Sequence, residues 1–122
     1  MGKRILIVDD SPTIRQQVGM ALGQAGFDVI EAADGVEGVN AIRSDSQIAA
    51  VICDVNMPRK NGLELVEEVK SGGPNSGVPI LILTTEGQPA LTQRAKKAGA
   101  LGWIIKPFNA EVLVAAMKKL TA

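Results

Sequence analysis

The chain has 122 residues, of which 46% are hydrophobic and 21% charged, and its 13 basic side chains balance 13 acidic ones. This length fits one domain, and no apolar run reaches the ~20 residues that a membrane span needs. The zero net charge excludes a broad positive field for nucleic acid, and the absence of histidine excludes histidine-based triads and metal sites.

The first residues predict where the protein works. Met1 to Arg4 lead directly into a strand pattern, without the apolar segment and cleavage site of a secretory signal. We therefore expect a cytoplasmic protein without membrane insertion. The only cysteine, Cys53, lies inside an apolar run, which excludes an internal disulfide and favours a buried, unreactive thiol.

Strand and helix patterns alternate along the whole chain. The strand patterns are short apolar runs, mostly without the polar alternation of half-exposed strands, as in a parallel sheet covered on both faces. In chain order, the predicted strands are residues 4–8, 28–32, 49–54, 78–84 and 100–105. A helix pattern follows each of them, so five β-α pairs are expected.

The predicted helices begin at capping residues. Ser11 precedes Pro12, which suits the first helical position, while Asp34 and Asn61 are each followed three residues later by Glu, as in a capping box. In chain order, the predicted helices span about residues 12–25, 35–43, 62–71, 89–98 and 109–120. The last helix is expected to bury its apolar residues Val112, Leu113, Ala116, Met117 and Leu120.

Such alternation predicts an α/β fold with right-handed crossovers, in which helices cover both faces of a parallel sheet. We expect one domain over residues 1–122, with no output domain. Periodicity alone leaves the order of the strands open. A glycine-rich stretch, residues 72–77, lacks the preceding strand and the Lys-Ser/Thr of a phosphate loop, so it is interpreted as a plain connection.

Four strand patterns end on polar residues, and these endings predict the functional site. The carboxyl ends of parallel strands meet at one edge of the sheet, where open α/β folds bind ligands. Two carboxylates ~5 Å apart repel by about 3 kcal/mol at an effective dielectric of ~20, so a cluster of three calls for a hard cation such as Mg²⁺. The endings are Asp9 with Asp10, Asp54, Thr84, and Lys106 with Pro107.

The motifs around these endings resemble a known family. Together, and in this order, they resemble the receiver domain of bacterial two-component response regulators over essentially the whole chain, and the single-domain chemotaxis receivers most. The resemblance implies a flavodoxin-like, doubly wound fold with strand order 2-1-3-4-5. The motifs are Val8-Asp9-Asp10-Ser11, Asp54-Val55-Asn56-Met57-Pro58, Leu83-Thr84-Thr85-Glu86 and Lys106-Pro107-Phe108.

The resemblance also implies a role for each site residue. Asp54 would be the phospho-acceptor, because aspartate can attack phosphorus and form an acyl phosphate. The Mg²⁺ site would comprise Asp10, Asp54 and the backbone carbonyl of Asn56, with Asp9 in the metal's water shell. Thr84 and Lys106 would bind the phosphoryl oxygens, and the Lys106-Pro107 peptide would be cis.

In receivers, a threonine and an aromatic residue carry the signal to the surface. The resemblance assigns these positions to Thr84 and Trp103, although most members have Tyr or Phe where this chain has Trp. Asn56 and Glu86 match positions that influence the lifetime of the phosphoryl group. The alternative interpretation is that they are ordinary polar residues of surface loops.

The partners implied are a chemotaxis-type histidine kinase and a target, such as a flagellar motor switch component, that binds the face of helix 4, strand 5 and helix 5. We expect a monomeric signalling switch that binds no nucleic acid and is no enzyme beyond its own phosphoryl transfer and autodephosphorylation. Basic side chains of the two helices suit an acidic partner or form an ordinary solvated face. They are Arg94, Lys96, Lys97, Lys118 and Lys119.

Three other interpretations fit the sequence less well. A phosphorelay shuttle would pass its phosphoryl group to a histidine phosphotransfer protein. An aspartate-nucleophile phosphohydrolase would carry Asp-x-Asp after its first strand, whereas Asp9 and Asp10 are adjacent. A flavin carrier is disfavoured because the same pair would repel the flavin phosphate.

Overall fold

A computed structural model describes residues 2–122, which form five strands and five helices in strict alternation. No helix within these residues combines the length and hydropathy needed to cross a membrane. In chain order, the elements are β1 (Arg4–Val8), α1 (Pro12–Gln24), β2 (Asp28–Ala32), α2 (Gly35–Ser44), β3 (Ile48–Cys53), α3 (Gly62–Lys70), β4 (Ile80–Thr84), α4 (Pro89–Ala98), β5 (Gly102–Ile105) and α5 (Ala110–Leu120).

The five strands form one parallel sheet in the order β2-β1-β3-β4-β5, which confirms the predicted fold class. Because β1 and β3 are neighbours with Val8 opposite Cys53, the residues that follow them lie side by side. The backbone N–H of Asp54 donates to the Val8 carbonyl at 2.9 Å. This pairing brings the two acidic strand endings to the same point on the sheet edge.

Two apolar clusters, one on each face of the sheet, form the core. Leu6 and Val8 of β1 point to the face covered by α2, α3 and α4, whereas Ile5 and Ile7 point to the face covered by α1 and α5. Successive residues of a strand alternate between faces, so a strand buried on both faces must be apolar throughout. That is why β1 is an unbroken aliphatic run.

The structure corrects several predicted boundaries by one or two residues. β3 spans Ile48–Cys53, so Asp54 lies just beyond its end. β4 begins at Ile80, because Pro79 has no N–H to donate to a neighbouring strand. β5 begins only at Gly102, where its pairing with Leu81 starts.

The prediction that Val112 is buried was wrong, since 56% of this residue is exposed. Leu113 and Met117 are the fully buried residues of α5, and they pack against the sheet. Adjacent helical residues differ in direction by about 100°, which turns Val112 away from the buried face.

The predicted caps are present at the helix starts. Ser11 Oγ accepts from the Ile14 N–H at 3.3 Å, and Asn61 forms the complete capping box with Glu64. At α2, Asp34 caps the Glu37 N–H, but the Glu37 carboxylate accepts from Ala33, one residue before the cap, instead of from Asp34. The start of α2 is therefore fixed by a variant of the predicted box.

Candidate functional site

The polar residues at the strand ends converge on the carboxyl edge of the sheet, as the sequence predicted. Asp9 follows β1, Asp54 follows β3, Thr84 ends β4 and Lys106 follows β5. Asp9, Asp54 and Thr84 are all buried. Buried polar groups are rare unless they are paired or functional, which marks this edge as the candidate site.

Three carboxylates, two of them buried and that of Asp10 exposed, form a cluster at the site. Asp9, Asp10 and Asp54 each offer one oxygen, and these oxygens lie within 4.8 Å of one another. Three negative charges at this spacing repel strongly, and an all-oxygen donor set is the type that Mg²⁺ prefers. The residues present therefore fit a hard divalent cation.

Lys106 brings a positive charge into direct contact with the carboxylates of this cluster. Its Nζ lies 2.8 Å from Asp9 Oδ2 and 3.2 Å from Asp54 Oδ2. Burial of the ammonium acts to lower the pKa of Lys106, but the hydrogen bond that the ammonium donates to Asp9 and the charge of Asp54 outweigh burial and raise that pKa. The Lys106-Pro107 peptide that presents this side chain is cis, as predicted.

Backbone N–H groups hold the other carboxylate oxygens. Asp54 Oδ1 accepts from the Val55 N–H at 2.7 Å, and Asp9 Oδ1 accepts from the Ser11 N–H at 2.9 Å. Each of these two carboxylates thus has one oxygen fixed by its own loop and one oxygen facing Lys106. The arrangement fixes the direction of both groups before any ligand arrives.

The residues predicted to act beyond the acidic cluster meet around Glu86. The Glu86 N–H donates to Thr84 Oγ1 at 3.3 Å, and its carboxylate accepts from Asn56 Nδ2 at 2.8 Å. Its backbone carbonyl accepts from the indole N–H of Trp103 at 2.9 Å. Through Glu86, the loop after β4 is joined both to the loop after β3 and to the aromatic residue of β5.

Sequence reasoning missed Arg15, which supports the site from α1. Its Nη1 donates to the Asp9 backbone carbonyl at 2.6 Å, and its Nε donates to Glu31 Oε1 at 2.9 Å. A basic side chain at the start of a helix opposes the helix dipole. This unfavourable placement of Arg15 was the signal in the sequence from which its role could have been found.

Cys53 is buried, as predicted, at the end of β3. Burial raises the pKa of its thiol, and the charges of Asp54 and Asp9 add to this effect. A thiol held in its protonated form is a poor nucleophile, so Cys53 belongs to the core and not to the chemistry.

The sheet order and the acidic edge together define a doubly wound α/β protein of the receiver class. The response regulator receiver domain family matches residues 5–118. Chemotaxis protein CheY1 of Helicobacter pylori is 40% identical over 111 residues, which cover 90% of each chain. A Campylobacter jejuni chemotaxis protein CheY homologue is also 40% identical, over 90% of this chain and 85% of its own.

Solved structures agree with the sequence matches. Chemotaxis protein CheY4 of Vibrio cholerae superposes with a TM-score of 0.89 at 40% identity, covering 98% of this chain and 99% of its own. A CheY-like receiver domain from Methanospirillum hungatei gives a TM-score of 0.90 at 30% identity, covering 98% and 94%. The chain therefore belongs to the response regulator receiver domain family, whose members are switches of two-component signalling and not classical enzymes.

Proposed function

We propose that this protein is a chemotaxis response regulator that accepts a phosphoryl group on Asp54 from a histidine kinase. The observation that carries the proposal is the buried Asp54 carboxylate, which shares Lys106 with Asp9 and lies within the three-carboxylate cluster. Chemotaxis is proposed because the similar H. pylori, C. jejuni and V. cholerae proteins are chemotaxis proteins.

The proposed step is an in-line transfer to a carboxylate. An oxygen of Asp54 forms the new O–P bond while the N–P bond of the kinase phosphohistidine breaks, and that electron pair stays on the imidazole nitrogen. The Lys106 ammonium and the Thr84 hydroxyl would stabilise the phosphoryl oxygens as charge spreads over them. The Val55 N–H keeps the Asp54 carboxylate oriented during the approach.

Asp10, Asp54 and the backbone carbonyl of Asn56 would hold Mg²⁺, with Asp9 acting through a bound water. When bound, the ion supplies positive charge against the phosphoryl oxygens. Asp9 and Asp54 are already held by backbone N–H groups, so little rearrangement of the acids is required.

The proposed output is a change at the surface formed by α4, β5 and α5. Thr84 and Trp103 would carry it, because both are hydrogen-bonded to the backbone of Glu86. Large apolar side chains are exposed on this surface beside the basic ones, which suits an amphipathic acidic target such as a flagellar motor switch component. The exposed apolar residues are Leu101, Ile105 and Val112.

We further propose that the chain acts as a single, monomeric receiver domain in the cytoplasm. Its match covers 85–90% of the length of the chemotaxis relatives. Such a protein would signal through binding to its partner.

Phosphorylation tests the proposal directly. With Mg²⁺ and acetyl phosphate, the protein is expected to gain the mass of one phosphoryl group, to lose it in hydroxylamine, and to change its Trp103 fluorescence. Peptide mapping after borohydride trapping should place the group on Asp54. Incubation with EDTA is the control and should prevent the gain. A modification that forms equally well in EDTA would contradict the proposed metal-dependent site.

Metal binding should be visible as added stability. At ten times its dissociation constant, Mg²⁺ should raise the free energy of unfolding by about 1.4 kcal/mol and the melting temperature by about 5 °C. The ion relieves repulsion among Asp9, Asp10 and Asp54, so Asp10→Asn should lose most of the increase. Sodium chloride at matched ionic strength is the control. An equal increase with sodium alone would indicate screening and not a metal site.

A further inference from the structure

Arg59 adopts an unusual backbone conformation in the loop that follows the proposed phospho-acceptor. Its φ is 67°, and the Lys60 N–H donates to the Pro58 carbonyl at 2.7 Å, which closes a three-residue turn around it. A γ-turn with positive φ at its centre is the rarer, strained form. A residue with a Cβ adopts it only when its surroundings hold it there.

The side chain of Arg59 is held by a forked ion pair. Its Nε lies 3.0 Å from Asp34 Oδ2, and its Nη2 lies 3.2 Å from Asp34 Oδ1. Asp34 is itself anchored, since the Glu37 N–H at the start of α2 donates to Oδ1 at 2.9 Å. This N–H and then the Arg59 guanidinium lower the pKa of Asp34. Two parallel hydrogen bonds fix the direction of the guanidinium as well as its position.

A second contact brings the same loop against α2. A Cβ on Gly35, the residue after Asp34, would lie 2.1 Å from the Lys60 carbonyl oxygen, so only glycine permits this approach. The side chain of Lys60 contacts a different helix, α3, where its Nζ lies 2.5 Å from Glu68 Oε1. The centre of the loop is thus attached to two helices by neighbouring residues.

This loop also contains Asn56, whose backbone carbonyl the proposed function assigns to Mg²⁺. The start of the loop is tied to α3 by the Gly62 N–H, which donates to the Val55 carbonyl at 2.9 Å. We propose that the Asp34–Arg59 pair is a positioning device, which holds the strained turn and thereby presents the Asn56 carbonyl to the metal. The expected consequence of the pair for Mg²⁺ affinity rests on the proposed function. The expected effect of the pair on the loop does not.

Three substitutions test whether the ion pair, and not backbone strain alone, governs the loop. Arg59→Gln removes the ion pair, and Asp34→Asn does the same while keeping an oxygen to cap α2. Arg59→Gly removes the pair but also relieves the backbone, because glycine accepts positive φ readily. The matched control is Arg4→Gln, which breaks the Arg4–Asp45 pair of 2.6 Å at the other end of α2.

We expect all three variants to weaken Mg²⁺ binding about three- to tenfold in a calorimetric titration, below the 10- to 100-fold typical of direct ligand partners. The double variant Asp34→Asn/Arg59→Gln should lose no more than either single variant. In metal-free protein, amide hydrogen exchange at Lys60 and Gly62 should accelerate by a similar factor. Arg4→Gln should change neither quantity.

The result for Arg59→Gly distinguishes two explanations of the turn, one based on backbone strain and one based on the ion pair. If strain alone governed the loop, this variant would bind Mg²⁺ as tightly as the wild type or more tightly, and that result would overturn the inference. Unchanged amide exchange in Arg59→Gln would overturn it too. If the wild-type protein takes up no Mg²⁺, the proposed function fails, whereas the exchange measurement still decides whether the pair holds the loop.

Discussion

Asp54→Asn is expected to abolish phosphorylation by acetyl phosphate and the fluorescence response of Trp103. The amide that replaces the carboxylate is a far weaker nucleophile, and removal of a nucleophile typically slows such chemistry by more than ~10³-fold. Initial rates of phosphoryl incorporation, measured by mass spectrometry at saturating Mg²⁺, check the prediction.

The loss in Asp54→Asn should not come from unfolding. The Asn Oδ1 can still accept from the Val55 N–H, which holds Asp54 Oδ1 at 2.7 Å in the wild type. Lys106 keeps its 2.8 Å contact with Asp9, and one of three mutually repelling charges is removed. The melting temperature of the metal-free protein should therefore be equal to or higher than that of the wild type.

Asp28→Asn is the matched control for the same chemical change. Asp28 is an exposed residue at the start of β2, paired in register with Arg4 at the opposite edge of the sheet from the site. This variant should incorporate phosphoryl at the wild-type rate. A normal rate in Asp54→Asn, with the group mapped to Asp9 or Asp10, would move the acceptor within the cluster and contradict the assignment of Asp54.

The sequence predicted the position of a site residue well where that residue directly follows a strand. An apolar run that stops at a carboxylate places that carboxylate at the sheet edge, whatever the strand order, which is why Asp9 and Asp54 were found without a structure. The order of the strands is different. Periodicity carries no information on which strands are neighbours, so the full strand order was available only through the family resemblance.

Contacts that depend on tertiary placement could not be predicted. The Asp34–Arg59 pair joins residues 25 positions apart, and nothing in either local pattern requires them to meet. Glu86 was predicted to lie near the site, but its three separate contacts depend on the path of its loop. Such hydrogen bonds are set by how loops pack after the sheet has formed, and local propensity does not determine them.

Gly62→Ala is expected to be the most destabilising single-methyl change near the site. A Cβ on Gly62 would lie 2.0 Å from the Asp54 carbonyl oxygen and 3.1 Å from the Val55 Cα. These are backbone atoms, which cannot rotate away as a side chain can. The start of α3 therefore has to move from the end of β3, and the Gly62 N–H has to give up the Val55 carbonyl.

Urea unfolding should show a loss of about 3 kcal/mol or more for Gly62→Ala, at the upper end of overpacking effects, with a fall of about 10 °C in melting temperature. Mg²⁺ affinity should fall as well, because the displaced backbone belongs to Asp54 itself. Gly23→Ala in α1 is the matched control, since a Cβ there meets nothing within 4 Å. It should stabilise by about 0.5–1 kcal/mol through helix propensity. Equal stability of the two alanine variants would mean that α3 does not need to lie against the backbone of the proposed phospho-acceptor.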